Sequence, residues 1–264
     1  MIRVLTAITL LGILFGTLWL PPYAFVVLLA AFLLLAWNEY AGLAAAVGAA
    51  PLRGLGAPLA VACAASFAAP DPRTPVVVAG LATLFAAVAG LLAGSRNPAL
   101  AVRRAVATVA GICWLGVLPG FHVALRYEPD GVALIALLFA AISSGDIAAY
   151  YGGKTFGKHP LAPGLSPNKT IEGTLFGLAA SGIGAAIVVH YWMPMTTWPR
   201  GLAIGVLLGA IGQAGDLFES SLKRAADTKD SSTALPGHGG VLDRLDGLLF
   251  GGVLLYAAVF FDLL

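Results

Sequence analysis

The sequence GVALIALLFAAISSGDIAAYY, residues 131–151, is an apolar run with one charged side chain, Asp146. An α-helix needs about 20 apolar residues to cross the hydrocarbon core of a bilayer, so this run predicts a membrane span. A carboxylate inside a span is costly, and it usually faces a cavity, a partner or a metal. The run therefore predicts a membrane helix that carries a functional acid.

The rest of the chain has the same apolar character. Of its 264 residues, 59% are apolar and 11% are charged, with 15 basic and 13 acidic side chains. So few charges do not cover the surface of a soluble protein of this length. The composition argues against a soluble enzyme, a secreted disulfide scaffold and a disordered regulator. A net charge of +2 gives no reason to expect a nucleic-acid partner.

Apolar runs of near-spanning length recur along the whole sequence. They lie near Val4 to Leu20, Tyr23 to Trp37, Ala57 to Ala69, Pro75 to Gly94, Val106 to His122, Gly131 to Tyr151, Ile171 to Trp192, Gly201 to Gly215 and Leu248 to Leu264. We therefore predict an all-α, polytopic integral membrane protein with about nine transmembrane helices.

Basic residues indicate the orientation, because lysine and arginine accumulate in cytoplasmic loops. With nine spans, twelve basic residues fall on the side of the N-terminus, whereas Arg73, Arg126 and Arg200 fall on the other. This asymmetry predicts a multi-pass protein of the cytoplasmic (inner) membrane. Its N-terminus would be cytoplasmic and its C-terminus external.

Ionisable groups are concentrated in the second half of the chain. Residues 1–140 are interpreted as a hydrophobic transmembrane scaffold of about five to six helices. Residues 141–264 are interpreted as a catalytic transmembrane region with cytoplasmic polar loops at 152–170 and 216–246. Chemistry is expected in these two loops.

Three aspartates bracket the second polar loop. Asp216 directly follows an apolar run, and Asp243 and Asp246 are three residues apart where the final helix begins. Residues with that spacing share a helix face. Carboxylate oxygens from two helix ends suit Mg²⁺, which retains waters and accepts phosphate oxygens. We predict a magnesium site held by Asp216 and Asp243, with Asp246 as a third ligand or in support.

Basic residues and glycines lie between these carboxylates. The basic residues are Lys223, Arg224, Lys229 and Arg244, and the glycine-rich stretch is PGHGG, residues 236–240. Each feature alone fits a helix anchor or a plain turn. Together with a metal site they match what a nucleoside triphosphate requires, because positive charge and close backbone amides both stabilise phosphates.

The first polar loop offers a second phosphate site. Lys169 follows a loop that contains Ser166, and a helix is expected to begin at Thr170. The first amides of a helix bind anions, so Lys169 and this helix start are suited to a phosphate.

Residues 220–246, SSLKRAADTKDSSTALPGHGGVLDRLD, match a specific pattern. Its fixed positions include Ser220, Lys223, Arg224, Lys229, Asp230, His238, Gly239, Gly240, Asp243, Arg244 and Asp246. This signature stretch resembles that of the CDP-diacylglycerol synthases, also called phosphatidate cytidylyltransferases. Residues 146–173 resemble other common stretches of the same family, so the resemblance covers about the second half of the chain.

The resemblance implies transfer of a cytidylyl group from CTP to phosphatidic acid in phospholipid biosynthesis. It further implies a Mg²⁺ requirement, a second, monovalent cation such as K⁺, and a homodimer in the lipid bilayer. We expect Asp216, Asp243, Asp246, Lys223 and Arg244 to be catalytic. We expect Asp146, Ser166, Lys169, Ser220, Arg224, Lys229, Asp230, His238, Gly239 and Gly240 to bind substrate.

Two other functions remain open at this point. A related CTP-dependent transferase would act on a polyprenyl or archaeal ether-lipid phosphate. A secondary transporter would use Asp146 and Asp216 to bind protons or sodium at broken helices. No serine or cysteine is paired with a histidine at recognisable spacing, so a transferase is expected to act by direct, in-line attack.

Overall fold

The computed structural model describes residues 2–94, 96–234 and 239–264, and most of these residues are helical. The helices are α1 (Ile2–Leu18), α2 (Pro22–Ala46), α3 (Arg53–Ser66), α4 (Arg73–Ala93), α5 (Pro98–Ile112), α6 (Leu118–Tyr127), α7 (Gly131–Phe156), α8 (Ile171–Trp192), α9 (Trp198–Ala225) and α10 (Leu242–Phe260). A π-helical turn, Cys113–Val117, joins α5 to α6 in one continuous helix.

Within the described residues, six helices are long and apolar enough to cross a membrane. They are α2, α4, the continuous helix at 98–127, α7, α8 and α9. On α4 the large apolar side chains point outward, and Val76, Leu84 and Leu92 are each more than half exposed. Such a surface is suited to lipid rather than water. The prediction of an all-α, multi-pass membrane architecture is confirmed; the count of nine spans and their orientation stay predictions.

A short β-hairpin interrupts the helices. Strand β1 (Pro160–Ala162) pairs antiparallel with β2 (Ser166–Thr170), and Pro160 lies opposite Thr170. The sequence analysis predicted only a loop at 152–170, whereas α7 continues to Phe156 and the hairpin occupies most of the remainder. Strand β1 has only three residues and β2 has no apolar side chain other than Pro167, so neither shows the alternation that predicts a strand.

Two compact units make up the chain. The first contains residues 1–127 and 222–244, and the second contains residues 128–221 and 245–264. Helices α9 and α10 therefore contribute to both units. This geometric division differs from the sequence division at residue 140, which concerned function and stays a prediction.

Trp37 and Tyr40 on α2 lie at the core of the first unit. Trp37 is fully buried, and a Cβ atom added at Gly56 or at Gly111 would overlap or crowd the aromatic rings. Tyr40 donates its hydroxyl to the carbonyl oxygen of Ala107 at 2.6 Å. Gly56 on α3 and Gly111 on α5 thus leave room for the two large rings. The buried Tyr40 hydroxyl retains a hydrogen-bond partner.

Arg126, at the end of α6, fastens α1 to the same unit. Its side chain is 7% exposed, and its Nη2 donates to the carbonyl oxygens of Leu18 at 2.8 Å and Leu20 at 2.9 Å. These carbonyls lie at the C-terminal end of α1, where the helix itself supplies no donors. A cation placed there also interacts favourably with the helix dipole.

The second unit is held together by close crossings of small residues. A Cβ atom at Gly145 on α7 or at Gly209 on α9 would collide with Ser181 Oγ on α8. One at Gly205 would overlap the carbonyl oxygen of Ser181. Small residues let helix backbones approach closely in a membrane, where burial of apolar surface gives little driving force. Helices α7, α8 and α9 therefore pack through glycine contacts.

We expect Gly205→Ala to lower the stability of the protein by about 1–3 kcal/mol, because the added methyl group has no space beside Ser181 and Ala185. Thermal unfolding in detergent measures the change. Gly80→Ala on α4 is the matched control, since nothing lies within 4 Å of its added Cβ. Equal midpoints for the two variants would contradict the proposed glycine packing.

Candidate functional site

Three carboxylates of the second unit form a cluster: Asp216 and Glu219 on α9, and Asp246 on α10. One oxygen from each lies within 4.8 Å of the others. Glu219 is fully buried. Three negative charges at this separation repel one another unless a cation or a proton lies among them. The carboxylate cluster therefore has the donor set of a site for a hard metal ion.

The close approach of α9 and α10 brings these carboxylates together. A Cβ atom at Gly215 would lie 2.6 Å from the carbonyl oxygen of Asp246, and one at Gly247 would lie 3.1 Å from that of Gly212. Both glycines are adjacent in sequence to a cluster aspartate. The helix crossing therefore lies at the carboxylate cluster.

Lys169 contributes a positive charge to the carboxylate cluster. It lies in β2, and its Nζ forms an ion pair with Asp216 Oδ2. The next residue, Thr170, caps α8, because its hydroxyl accepts a hydrogen bond from Gly173 N at 3.1 Å. The helix that was predicted to begin at Thr170 begins at Ile171, with Thr170 as its N-cap. The cap fixes the end of β2 and hence the place of Lys169.

Glu172 connects the hairpin to α8. Its carboxylate accepts hydrogen bonds from the amides of Lys158 at 3.0 Å and His159 at 3.2 Å, and it lies 2.6 Å from His159 Nδ1. A carboxylate in the first turn of a helix is also favoured by the helix dipole. The start of the hairpin is therefore anchored beside the helix that follows it.

A cavity of about 500 Å³ adjoins Lys169 and Asp216. Its other lining residues are Asp146, Ala149, Tyr150, Gly153, Lys154, Asn168, Thr170, Gly173, Thr174 and Gln213. Three residues that the sequence analysis selected, Asp146, Lys169 and Asp216, thus line one space. Two lysines and two carboxylates can place a metal ion and a phosphate group there.

Asp243 belongs to the first unit and has other partners. Its Oδ1 lies 2.6 Å from Lys223 Nζ, and its Oδ2 accepts from Ser231 N, Ser231 Oγ and Gly240 N at 3.0, 2.8 and 2.8 Å. Burial alone raises the pKa of the Asp243 carboxyl, but these hydrogen bonds and the charge of Lys223 hold it below its ordinary value. The metal-ligand assignment of Asp243 stays a prediction.

The model of the cytidylyltransferase family matches residues 1–262. The chain belongs to the cytidylyltransferase family. Its relatives include phosphatidate cytidylyltransferases from Brucella suis, Helicobacter pylori and Mycobacterium leprae, which are 46%, 40% and 37% identical over 132, 135 and 148 residues. These alignments cover 49%, 51% and 56% of this chain and 47%, 50% and 47% of the relatives. The chain therefore spans about half the length of the curated relatives that it matches.

The remaining candidate residues are distributed between the two units. In the second unit, Ser220 Oγ donates to Asp216 Oδ1 at 3.3 Å, and Ser166 begins β2. In the first unit, Arg224 Nη1 donates to the carbonyl oxygen of Thr228 at 2.8 Å. Lys229, Asp230 and Arg244 are exposed, Gly239 has φ +78°, and Gly240 N binds Asp243. His238 lies outside the described residues.

Two acids were missed by the sequence analysis. Glu219 lies three residues after Asp216, and that spacing, already used for Asp243 and Asp246, would have placed it on the same face. Glu39 is a lone acid in an apolar run, like Asp146, and it accepts hydrogen bonds from the signature stretch. Both signals were present in the sequence.

Proposed function

We propose that this chain transfers a cytidylyl group from CTP to phosphatidic acid and produces CDP-diacylglycerol and pyrophosphate. The proposal depends on one observation: a chain that the cytidylyltransferase family model matches over residues 1–262 carries a carboxylate cluster and Lys169 beside one cavity. The names of the relatives supply the lipid acceptor. The family membership supplies the nucleotide.

The chemistry requires two anions to approach each other. A phosphate oxygen of phosphatidic acid attacks the α-phosphorus of CTP, and the bond to the pyrophosphate oxygen breaks on the opposite side. Lys169 and Lys154 line the cavity and are suited to hold phosphate oxygens in line. No proton has to be removed from the nucleophile, because a phosphate monoester is largely ionised at neutral pH. Positioning and neutralisation of charge are therefore the main tasks of the protein.

The carboxylate cluster fits Mg²⁺. Asp216, Glu219 and Asp246 offer hard oxygen donors from two helices, and the adjoining cavity leaves room for waters and phosphate oxygens. When bound, Mg²⁺ supplies positive charge that stabilises the phosphates during transfer. Glu219 takes a place in this proposed donor set that the sequence analysis gave to Asp243. A second, monovalent cation such as K⁺ and a homodimer remain part of the proposal from the resemblance alone.

The location follows from the two substrates. CTP is soluble in the cytoplasm and phosphatidic acid lies in the bilayer, so the site is proposed to face the cytoplasm from the inner membrane. The signature residues Lys223, Arg224, Lys229 and Arg244 are proposed to neutralise phosphates. Ser166, Ser220 and the glycines at 239 and 240 are proposed to orient phosphate oxygens.

The first test uses purified protein in detergent with phosphatidic acid and each of CTP, ATP, GTP and UTP. We expect pyrophosphate release and a nucleotidyl lipid with CTP only. Equal release with all four nucleotides would contradict the cytidine assignment. Product formation on polyprenyl phosphate but not on phosphatidic acid would identify the related lipid transferase. Ion flux without CTP turnover would identify a transporter.

The second test concerns the carboxylate cluster. Asp216→Asn, Glu219→Gln and Asp246→Asn should each lower kcat by at least about 100-fold, or ~2.7 kcal/mol, because each removes one oxygen donor and one charge. Pairs of these changes should act less than multiplicatively, since they damage one site. Each change should also weaken Mn²⁺ binding, which can be followed by paramagnetic resonance without any substrate.

The matched control is Asp227→Asn. Asp227 is exposed just beyond the end of α9 and has φ +53°, a conformation that asparagine adopts readily. Its replacement also removes one negative charge and should leave both kcat and Mn²⁺ binding unchanged. Losses of equal size in Asp227→Asn would mean that net charge, not coordination, explains the effect.

The third test concerns orientation. A cysteine introduced at Thr228 should react with an impermeant thiol reagent only after the cells are opened, because the second polar loop is predicted to be cytoplasmic. A cysteine at Met195, which is 96% exposed between α8 and α9, should react in intact cells. The reverse pattern would contradict the orientation and the proposed access of CTP.

A further inference from the structure

Glu39 on α2 is a buried carboxylate that accepts four hydrogen bonds within the first unit. Its Oε1 accepts from Ser232 Oγ at 2.6 Å and from Val241 N at 2.9 Å. Its Oε2 accepts from Ser231 Oγ at 3.1 Å and from Leu242 N at 2.7 Å. The side chain is 7% exposed, so water does not replace these donors easily.

The two backbone donors lie where α10 begins. Leu242 is the first residue of α10 and Val241 precedes it. The first amides of a helix have no partners within the helix, and a carboxylate satisfies them best because of the helix dipole. Glu39 is distant in sequence, yet it performs the task of a capping residue. The start of α10 is therefore fixed to α2.

Ser231 links Glu39 to Asp243. Its hydroxyl lies 3.1 Å from Glu39 Oε2 and 2.8 Å from Asp243 Oδ2, and its amide donates to Asp243. The single hydroxyl proton serves one carboxylate at a time. Gly240 lies directly against these side chains, because a Cβ atom there would overlap Ser231 Oγ and crowd the Glu39 carboxylate.

We propose that Glu39 is a positioning residue of the transferase. By accepting from Ser231, Ser232 and the start of α10, it holds the signature stretch so that Asp243 keeps its ion pair with Lys223. This role depends on the proposed function, because Lys223 and Asp243 were assigned to that reaction. The apolar first half of the chain thereby contributes a residue that supports the signature stretch without touching substrate.

Glu39→Gln tests the role of the acceptor atoms. Glutamine has the same shape, but its amide nitrogen is a donor and would face the amide of Val241 or of Leu242 in either orientation. We expect kcat to fall about tenfold or more while KM for CTP changes by less than about threefold. Glu39→Asp keeps two acceptors on a shorter stem and should retain more activity than Glu39→Gln.

A purely space-filling role predicts the opposite order, since glutamine conserves volume and aspartate does not. Wild-type kcat in Glu39→Gln would therefore overturn the proposal. Asn38→Ala is the matched control, because Asn38 is exposed and its amide donates to the carbonyl oxygen of Leu34 on its own helix. Asn38→Ala should keep the activity of the wild type.

A second measurement does not depend on catalysis. Val241 is fully buried, so a cysteine placed there, in a chain with Cys63→Ala and Cys113→Ala, should react slowly with a soluble maleimide. Glu39→Gln should speed this reaction at least about tenfold, because the stretch is released. An unchanged rate would overturn the positioning role. If the protein shows no CTP turnover but Glu39→Gln still speeds the maleimide reaction, the proposed function fails while the role of Glu39 in holding the stretch stands.

Ser232→Ala provides a milder variant in case Glu39→Gln does not fold. It removes one donor to Oε1 at 2.6 Å and leaves the carboxylate in place. We expect a loss of kcat of about three- to tenfold and a faster maleimide reaction at position 241. Wild-type values for both measurements would contradict the proposal.

Discussion

The close contact between α9 and α10 is the constraint on which the candidate site depends. A Cβ atom at Gly215 would overlap the backbone of Asp246, and one at Gly247 would make a tight contact with the backbone of Gly212. Carboxylates repel one another, so the short distance between them has to be imposed by the backbone. Two rigid helices that touch through glycine impose it. A cation bound there, as proposed, would offset a repulsion that the helix packing imposes.

The sequence was sufficient to predict features with a local cause. Apolar runs predicted membrane helices, and a threonine after a polar loop predicted the start of α8 to within one residue, because both depend on neighbouring residues only. The signature stretch predicted the family. Asp146, Lys169 and Asp216, which the sequence analysis selected, all line one cavity, and their roles there stay predictions. For Asp146 and Asp216 the signal was an acid within or directly after an apolar run, whereas Lys169 was selected because it precedes a helix start.

Features with a distant cause were beyond the sequence. Glu39 accepts hydrogen bonds from residues about two hundred positions later, and the periodicity of a sequence does not predict contacts at that distance along the chain. Asp243 and Asp246 share a helix start, yet one joins the Lys223 network of the first unit and the other joins the carboxylate cluster of the second. Their spacing predicts that Asp243 and Asp246 share a helix face, but it does not predict which side chains of other helices each one contacts. The hairpin at 160–170 was missed because strands of three and five residues without alternation have no distinctive pattern.

The π-helical turn at Cys113–Val117 determines how the side chains that follow it are oriented. Such a turn holds one more residue than an α-helical turn, and each residue advances a helix by about 100°. Every side chain after the turn is therefore rotated relative to an uninterrupted helix. Arg126 reaches the carbonyls of Leu18 and Leu20 in that rotated frame. Loss of one residue at 113–117 would preserve a helix but point Arg126 away from these carbonyls, so the contact between α6 and the end of α1 depends on the number of residues in this turn.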